Sequence, residues 1–158
     1  MAELLKKLET ILVVDDVSSV RDLVVGILQR ANYTVLRADG GADALKLVAD
    51  YPGKIDLLLS DVEMPGMTGP NLGDELKKAR PEIHVMFMSG FTGGNLLVLN
   101  YGWSFIEKPF VPTKLLQMVQ EVLATPNKSQ SGHKFDTRQD TDPNKKLEEG
   151  QVPPIEGK

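Results

Sequence analysis

Ile11-Leu12-Val13-Val14-Asp15-Asp16 is an apolar run of four residues that stops at two carboxylates. The shape recurs downstream. Ile55 to Leu59 closes at Ser60-Asp61, Ile83 to Met88 closes at Ser89-Gly90, and the short Ser104 to Ile106 leads into Glu107-Lys108-Pro109. Thr34 to Ala38 is a further strand pattern, followed by the turn Gly40-Gly41. Runs that are apolar without alternation imply burial on both faces, hence a parallel sheet covered by helices.

The intervening segments carry the helical period. Val20, Leu23, Val24, Ile27, Leu28 and Ala31 form one face, with Ser18 or Ser19 as the expected N-cap. Asp43 to Asp50 reads as a second helix, ending before Pro52-Gly53. Pro70 suits the first turn of a third, reaching to about Arg80. Leu115, Leu116, Val119, Val122 and Leu123 mark a last amphipathic helix. The expected architecture is α/β: five strands, each followed by a helix, doubly wound.

Composition narrows the class. The chain has 158 residues, 41% hydrophobic and 25% charged, as in an ordinary globular protein. It has no cysteine, which excludes disulfides and thiolate chemistry, and two histidines far apart, which argues against zinc. No apolar run approaches the ~20 residues of a membrane span. The first ten residues lack the apolar stretch of a signal peptide. The expectation is a soluble, cytoplasmic protein with no membrane partner. A net charge of −4 gives no electrostatic reason to expect nucleic acid. From Asn127 onward the composition turns polar: Phe135, Leu147, Val152 and Ile155 are the large apolar residues among 32. Residues 1–126 are read as the folded domain and 127–158 as a polar flexible tail or linker.

In such sheets, sites form at the carboxyl ends of the strands. Asp15, Asp16, Asp61, Ser89 and Lys108 all leave strands at that edge. Singly, each has a plain structural reading: a helix cap, a turn residue, a loop hydrogen bond or a solvated charge. Together they place three carboxylates within reach of one another. Like charges a few ångströms apart repel by up to ~4 kcal/mol at an effective dielectric near 20. Lys108 supplies one compensating charge, and a divalent cation with oxygen ligands, Mg²⁺, would supply two more. Such a site suits a phosphoryl group. A carboxylate ionised at neutral pH could attack phosphorus without a general base.

These stretches resemble the receiver domain of two-component response regulators, of the chemotaxis-regulator type. They are Ile11 to Asp16, Asp61-Val62-Glu63-Met64-Pro65-Gly66-Met67-Thr68-Gly69, Met88-Ser89-Gly90 and Glu107-Lys108-Pro109-Phe110. The resemblance covers about Glu9 to Leu123. It implies a flavodoxin-like fold, with strand order 2-1-3-4-5, and Asp61 as the phosphoacceptor. Asp15, Asp16, Asp61 and the main-chain carbonyl of Glu63 would surround Mg²⁺. Ser89 would be the hydroxyl switch residue, Phe105 the aromatic switch residue and Lys108 the phosphate-binding lysine, with a cis Lys108-Pro109 bond. The donor would be a histidine kinase or a histidine phosphotransfer protein. Phe-Met-Ser-Gly-Phe resembles receivers fused to hybrid kinases.

One region departs from that pattern. The family usually has a longer segment between Ser89 and Lys108. Thr92-Gly93-Gly94-Asn95 followed by Leu96-Leu97-Val98-Leu99 suggests a shortened fourth helix with exposed apolar surface. The resemblance places partner contacts, and a homodimer, on the face of the fourth and fifth helices. Output would pass to a downstream protein by protein–protein contact, since no DNA-binding helix-turn-helix is expected after Leu123. Glu63 and Phe91, two residues past Asp61 and Ser89, would tune phosphoryl lifetime. His84 is expected as a core or edge residue, and Trp103 as packing on the sheet edge. Three other classes stay open: a phosphorylation-independent scaffold, a small aspartyl-phosphate phosphatase, and a nucleotide- or flavin-binding module of the same topology, which the lack of a glycine-rich phosphate motif disfavours. The phosphatase is disfavoured because Val17 and Glu63 stand where it would need aspartates. The protein is expected to be a signalling switch, catalysing only its own phosphorylation and dephosphorylation.

Overall fold

The computed structural model describes residues 8–90 and 103–126. Five strands form one parallel sheet in the order β2-β1-β3-β4-β5: β1 is Thr10–Val14, β2 Thr34–Ala38, β3 Leu57–Asp61, β4 His84–Ser89 and β5 Ser104–Glu107. The helices among the described residues are α1, Ser18–Arg30; α2, Gly41–Asp50; α3, Gly69–Ala79; and α4, Pro112–Ala124. This is the doubly wound flavodoxin-like order.

The apolar runs explain the order. β1 is buried at all five positions, and β3 and β4 at all but one each, so they occupy the centre, whereas β2 and β5 are buried at one position each and form the edges. Leu12, Val14, Leu58 and Phe87 face the layer of α2 and α3; Ile11, Val13, Leu57, Leu59, Met86 and Met88 face that of α1 and α4. Alternate residues of one strand therefore feed two cores.

Several boundaries differ from the sequence reading. β3 begins at Leu57, because Asp56 is bound to Thr10 through both its backbone N–H and its side chain, each at 2.8 Å. It then runs on through Ser60 to Asp61. Neither Ser18 nor Ser19 caps α1. Val17 is the N-cap without a side-chain bond, and its N–H donates instead to Asp15 Oδ1 at 2.9 Å. Thr68 caps α3, its Oγ1 accepting from the Asn71 N–H at 3.2 Å.

Trp103 lies inside rather than at the edge. It is 4% exposed, stacked at a tilt on Phe87 with ring centroids 5.5 Å apart. Gly73 of α3 makes room for it: a Cβ there would stand 3.0 Å from the indole. His84 opens β4, half-buried, with Nε2 2.7 Å from the Thr125 carbonyl oxygen. Arg80 closes α3 and reaches across to the end of α2, donating to the carbonyls of Val48, Tyr51 and Gly53 at 2.6–3.0 Å. The last turn of α2 carries no basic residue of its own. The expected short fourth helix, Phe91, the homodimer face built on it and the 127–158 tail lie outside the described residues.

Candidate functional site

β1 and β3 are adjacent, with Val14 opposite Ser60, so Asp15 and Asp61 leave the sheet side by side. Asp15, Asp16 and Asp61 each present an oxygen within 4.8 Å of the others. Their burial is graded: Asp15 is fully buried, Asp61 half-buried and Asp16 exposed.

The ladder also delivers Lys108. Ser89 at the end of β4 pairs with Glu107 at the end of β5, and the Lys108 N–H donates to the Ser89 carbonyl at 2.8 Å. From that anchor the Lys108 ammonium reaches Asp61 Oδ1 at 3.0 Å and Asp15 Oδ2 at 3.4 Å. The Lys108–Pro109 peptide bond is cis.

Electrostatics follow from this geometry. Burial raises the Asp61 pKa. The hydrogen bond and charge of Lys108 pull it down, but Asp15 and Asp16 push it up again, and it ends above its ordinary value. Burial alone would lower the Lys108 pKa. The hydrogen bond and charge of Asp61, then those of Asp15, outweigh burial and raise it. One ammonium set against three carboxylates leaves two negative charges, the complement of a divalent cation. The donors are all carboxylate oxygens, with the exposed Asp16 leaving room for water, which fits Mg²⁺.

The remaining expected residues sit around this centre. Ser89 is buried at the end of β4, 2% exposed. Phe105 lies opposite Phe87 in the β4–β5 ladder, half-buried against the α2–α3 core. Glu63 is exposed in the connection from β3 to α3.

Three features went unread in the sequence. The Ser60 hydroxyl donates to the Asp61 carbonyl at 2.8 Å. Gly69 starts α3 directly against that carbonyl, and a Cβ there would collide with it. Arg21 of α1 donates through Nη1 to the Asp15 carbonyl at 2.6 Å. The legible signal for Arg21 was a cation near a helix N-terminus, where the dipole disfavours positive charge.

Residues 11–120 match the model of the response regulator receiver domain. The chain is 38% identical over 117 residues to the sensor kinase CckA of Brucella abortus (strain 2308), covering 72% of this chain and 12% of that protein. It is 35% identical to the uncharacterized transcriptional regulatory protein YbdJ of Bacillus subtilis (strain 168), over 72% of this chain and 50% of that one. The chain thus spans half or less of these relatives. Among solved structures, the receiver domain of the hybrid histidine kinase CckA superposes with a TM-score of 0.62 at 35% identity, covering 72% of this chain and 98% of that one. A CheY-like receiver domain protein from Methanospirillum hungatei JF-1 superposes at 0.67 with 29% identity, over 75% and 95%. A single-sheet fold of this order, an acid trio and its lysine at the carboxyl rim, and a family match across most of the chain have one common account: the chain belongs to the receiver domain family of two-component response regulators.

Proposed function

We propose that the chain is a phosphoacceptor switch and that Asp61 is the acceptor. The observation that supports this most directly is the Lys108 ammonium held between Asp61 and Asp15 in a trio of carboxylates. An Asp61 oxygen attacks the phosphorus of a phosphohistidine, the P–N bond breaks, and the imidazole leaves with the electron pair, giving an aspartyl phosphate. The donor is a histidine kinase or a histidine phosphotransfer protein. Lys108 turns from the carboxylate to a phosphoryl oxygen, and Ser89 donates a hydrogen bond to another. Asp15, Asp16, Asp61 and the Glu63 carbonyl would hold Mg²⁺, which would supply positive charge to offset that of the phosphoryl group. Catalysis is then mostly positioning and charge stabilisation.

Drawing Ser89 toward the phosphoryl group frees space for Phe105 to move inward, and the changed surface signals to a downstream protein by contact. Residues 1–126 form the unit that carries this activity.

Intact-mass measurement after incubation with Mg²⁺ and a small phosphodonor tests the reading. The expected result is a gain of one phosphoryl group, absent in Asp61→Asn and absent with a chelator. An unchanged mass with small donors and with a panel of kinases would overturn it in favour of a scaffold.

A further inference from the structure

Asp16 is the most exposed of the three acids, and its carboxylate accepts no hydrogen bond among the described residues. Its direction must therefore be set through the backbone. Both flanking peptide groups are bonded. The carbonyl before Asp16, that of Asp15, accepts from Arg21 Nη1 at 2.6 Å. The N–H after it, that of Val17, donates to Asp15 Oδ1 at 2.9 Å. Asp15 in turn is fixed by its own N–H on the Ala38 carbonyl at 3.3 Å. The Asp16 backbone is clamped on both sides while its side chain accepts no hydrogen bond from the described residues.

Arg21 occupies the fourth position of α1, and its N–H donates to the Val17 carbonyl at 3.0 Å. Side chain and main chain of one residue thus bind both ends of the Asp15–Val17 connection. The first turn of α1 holds no acid to offset the guanidinium. A cation here works against the helix dipole and against a bound metal ion; only the carboxylates of the trio favour it, and its contact is with the Asp15 main-chain carbonyl.

We propose that Arg21 is a positioning residue for Mg²⁺, acting through Asp16: by holding the Asp15–Asp16 peptide it aims the Asp16 carboxylate into the cation site. The inference rests on the reading of the acid trio as that site. It makes a prediction opposite in sign to simple electrostatics. Removing a positive charge beside a cation site should tighten metal binding; removing a clamp should weaken it.

Mg²⁺ titration of the full chain by isothermal calorimetry tests this. Arg21→Met should raise the Kd about 10-fold, within the range for groups that orient metal ligands, and Arg21→Lys, which keeps one donor, should fall between. In an Asp16→Asn background the Arg21→Met substitution should change the Kd less than twofold, because the residue it aims is gone. Thermal melting in chelator establishes that each variant is folded, and Arg21→Lys carries the test if Arg21→Met is not. Unchanged or tighter Mg²⁺ binding by the Arg21 variants, beside a wild type that binds, overturns the inference alone. An equal fold-change in the Asp16→Asn background also overturns it. No saturable heat from wild type overturns the magnesium reading of the site, and the inference with it.

Discussion

Burial first, and the charges of Asp15 and Asp16 after it, outweigh Lys108 at the Asp61 carboxyl. Its folded pKa lies above the ordinary 3.8, so the folded chain holds that proton more tightly than the unfolded chain does. The associated stability is full below the ordinary value and is lost as pH rises through the raised one. Asp61→Asn never ionises and escapes that loss. In chelator at pH 7 it should melt at a higher temperature than wild type. The difference should vanish toward pH 3.5. Melting curves of both proteins at the two pH values check this, and a less stable variant at pH 7 would mean that the Lys108 pairing dominates. Asp15, Asp16, Asp61 and Lys108 were legible in the sequence because each ends a run of apolar residues. Arg21 was not, because its contact depends on how the first turn of α1 folds back on the strand before it.

At the scale of elements, α3 is seated by two glycines. Gly69 lies against the Asp61 carbonyl and the Phe87 ring, and Gly73 lies under Trp103. Gly69→Ala should cost about 2–3 kcal/mol in urea unfolding, since a backbone carbonyl and a buried ring must both give way. The sequence marked Gly69 as loop punctuation and did not reveal the close approach, which arises only when β3 and α3 pack. Arg80 shows the same limit. It reads as the polar end of α3, yet it binds three carbonyls at the end of α2. Arg80→Ala should cost about 2 kcal/mol by the same measurement, because hydrogen bonds from a charged donor contribute more than neutral ones. The α1 cap moved from Ser18 or Ser19 to Val17 for a related reason: the Asp15 side chain supplies the acceptor from across the turn.

For the whole molecule, the acid trio joins the ends of two central strands, so a bound cation should stabilise the entire sheet. Thermal or urea unfolding should show stability rising with Mg²⁺, by about 2.7 kcal/mol at a hundredfold excess over Kd. Asp16→Asn should show a weaker response at equal Mg²⁺. No helix among the described residues is long and apolar enough to cross a membrane. Strand number, parallel pairing and the rim on which chemistry gathers were all written in local patterns. Four apolar residues in a row must be covered on both sides, and a carboxylate that follows them must leave at the sheet's end. Contacts between distant segments were beyond reach of such patterns: Trp103 turned inward over Gly73, and Arg80 of α3 reached the carbonyls at the end of α2. Those outcomes depend on three-dimensional packing, where the volume left by one side chain decides what another can occupy.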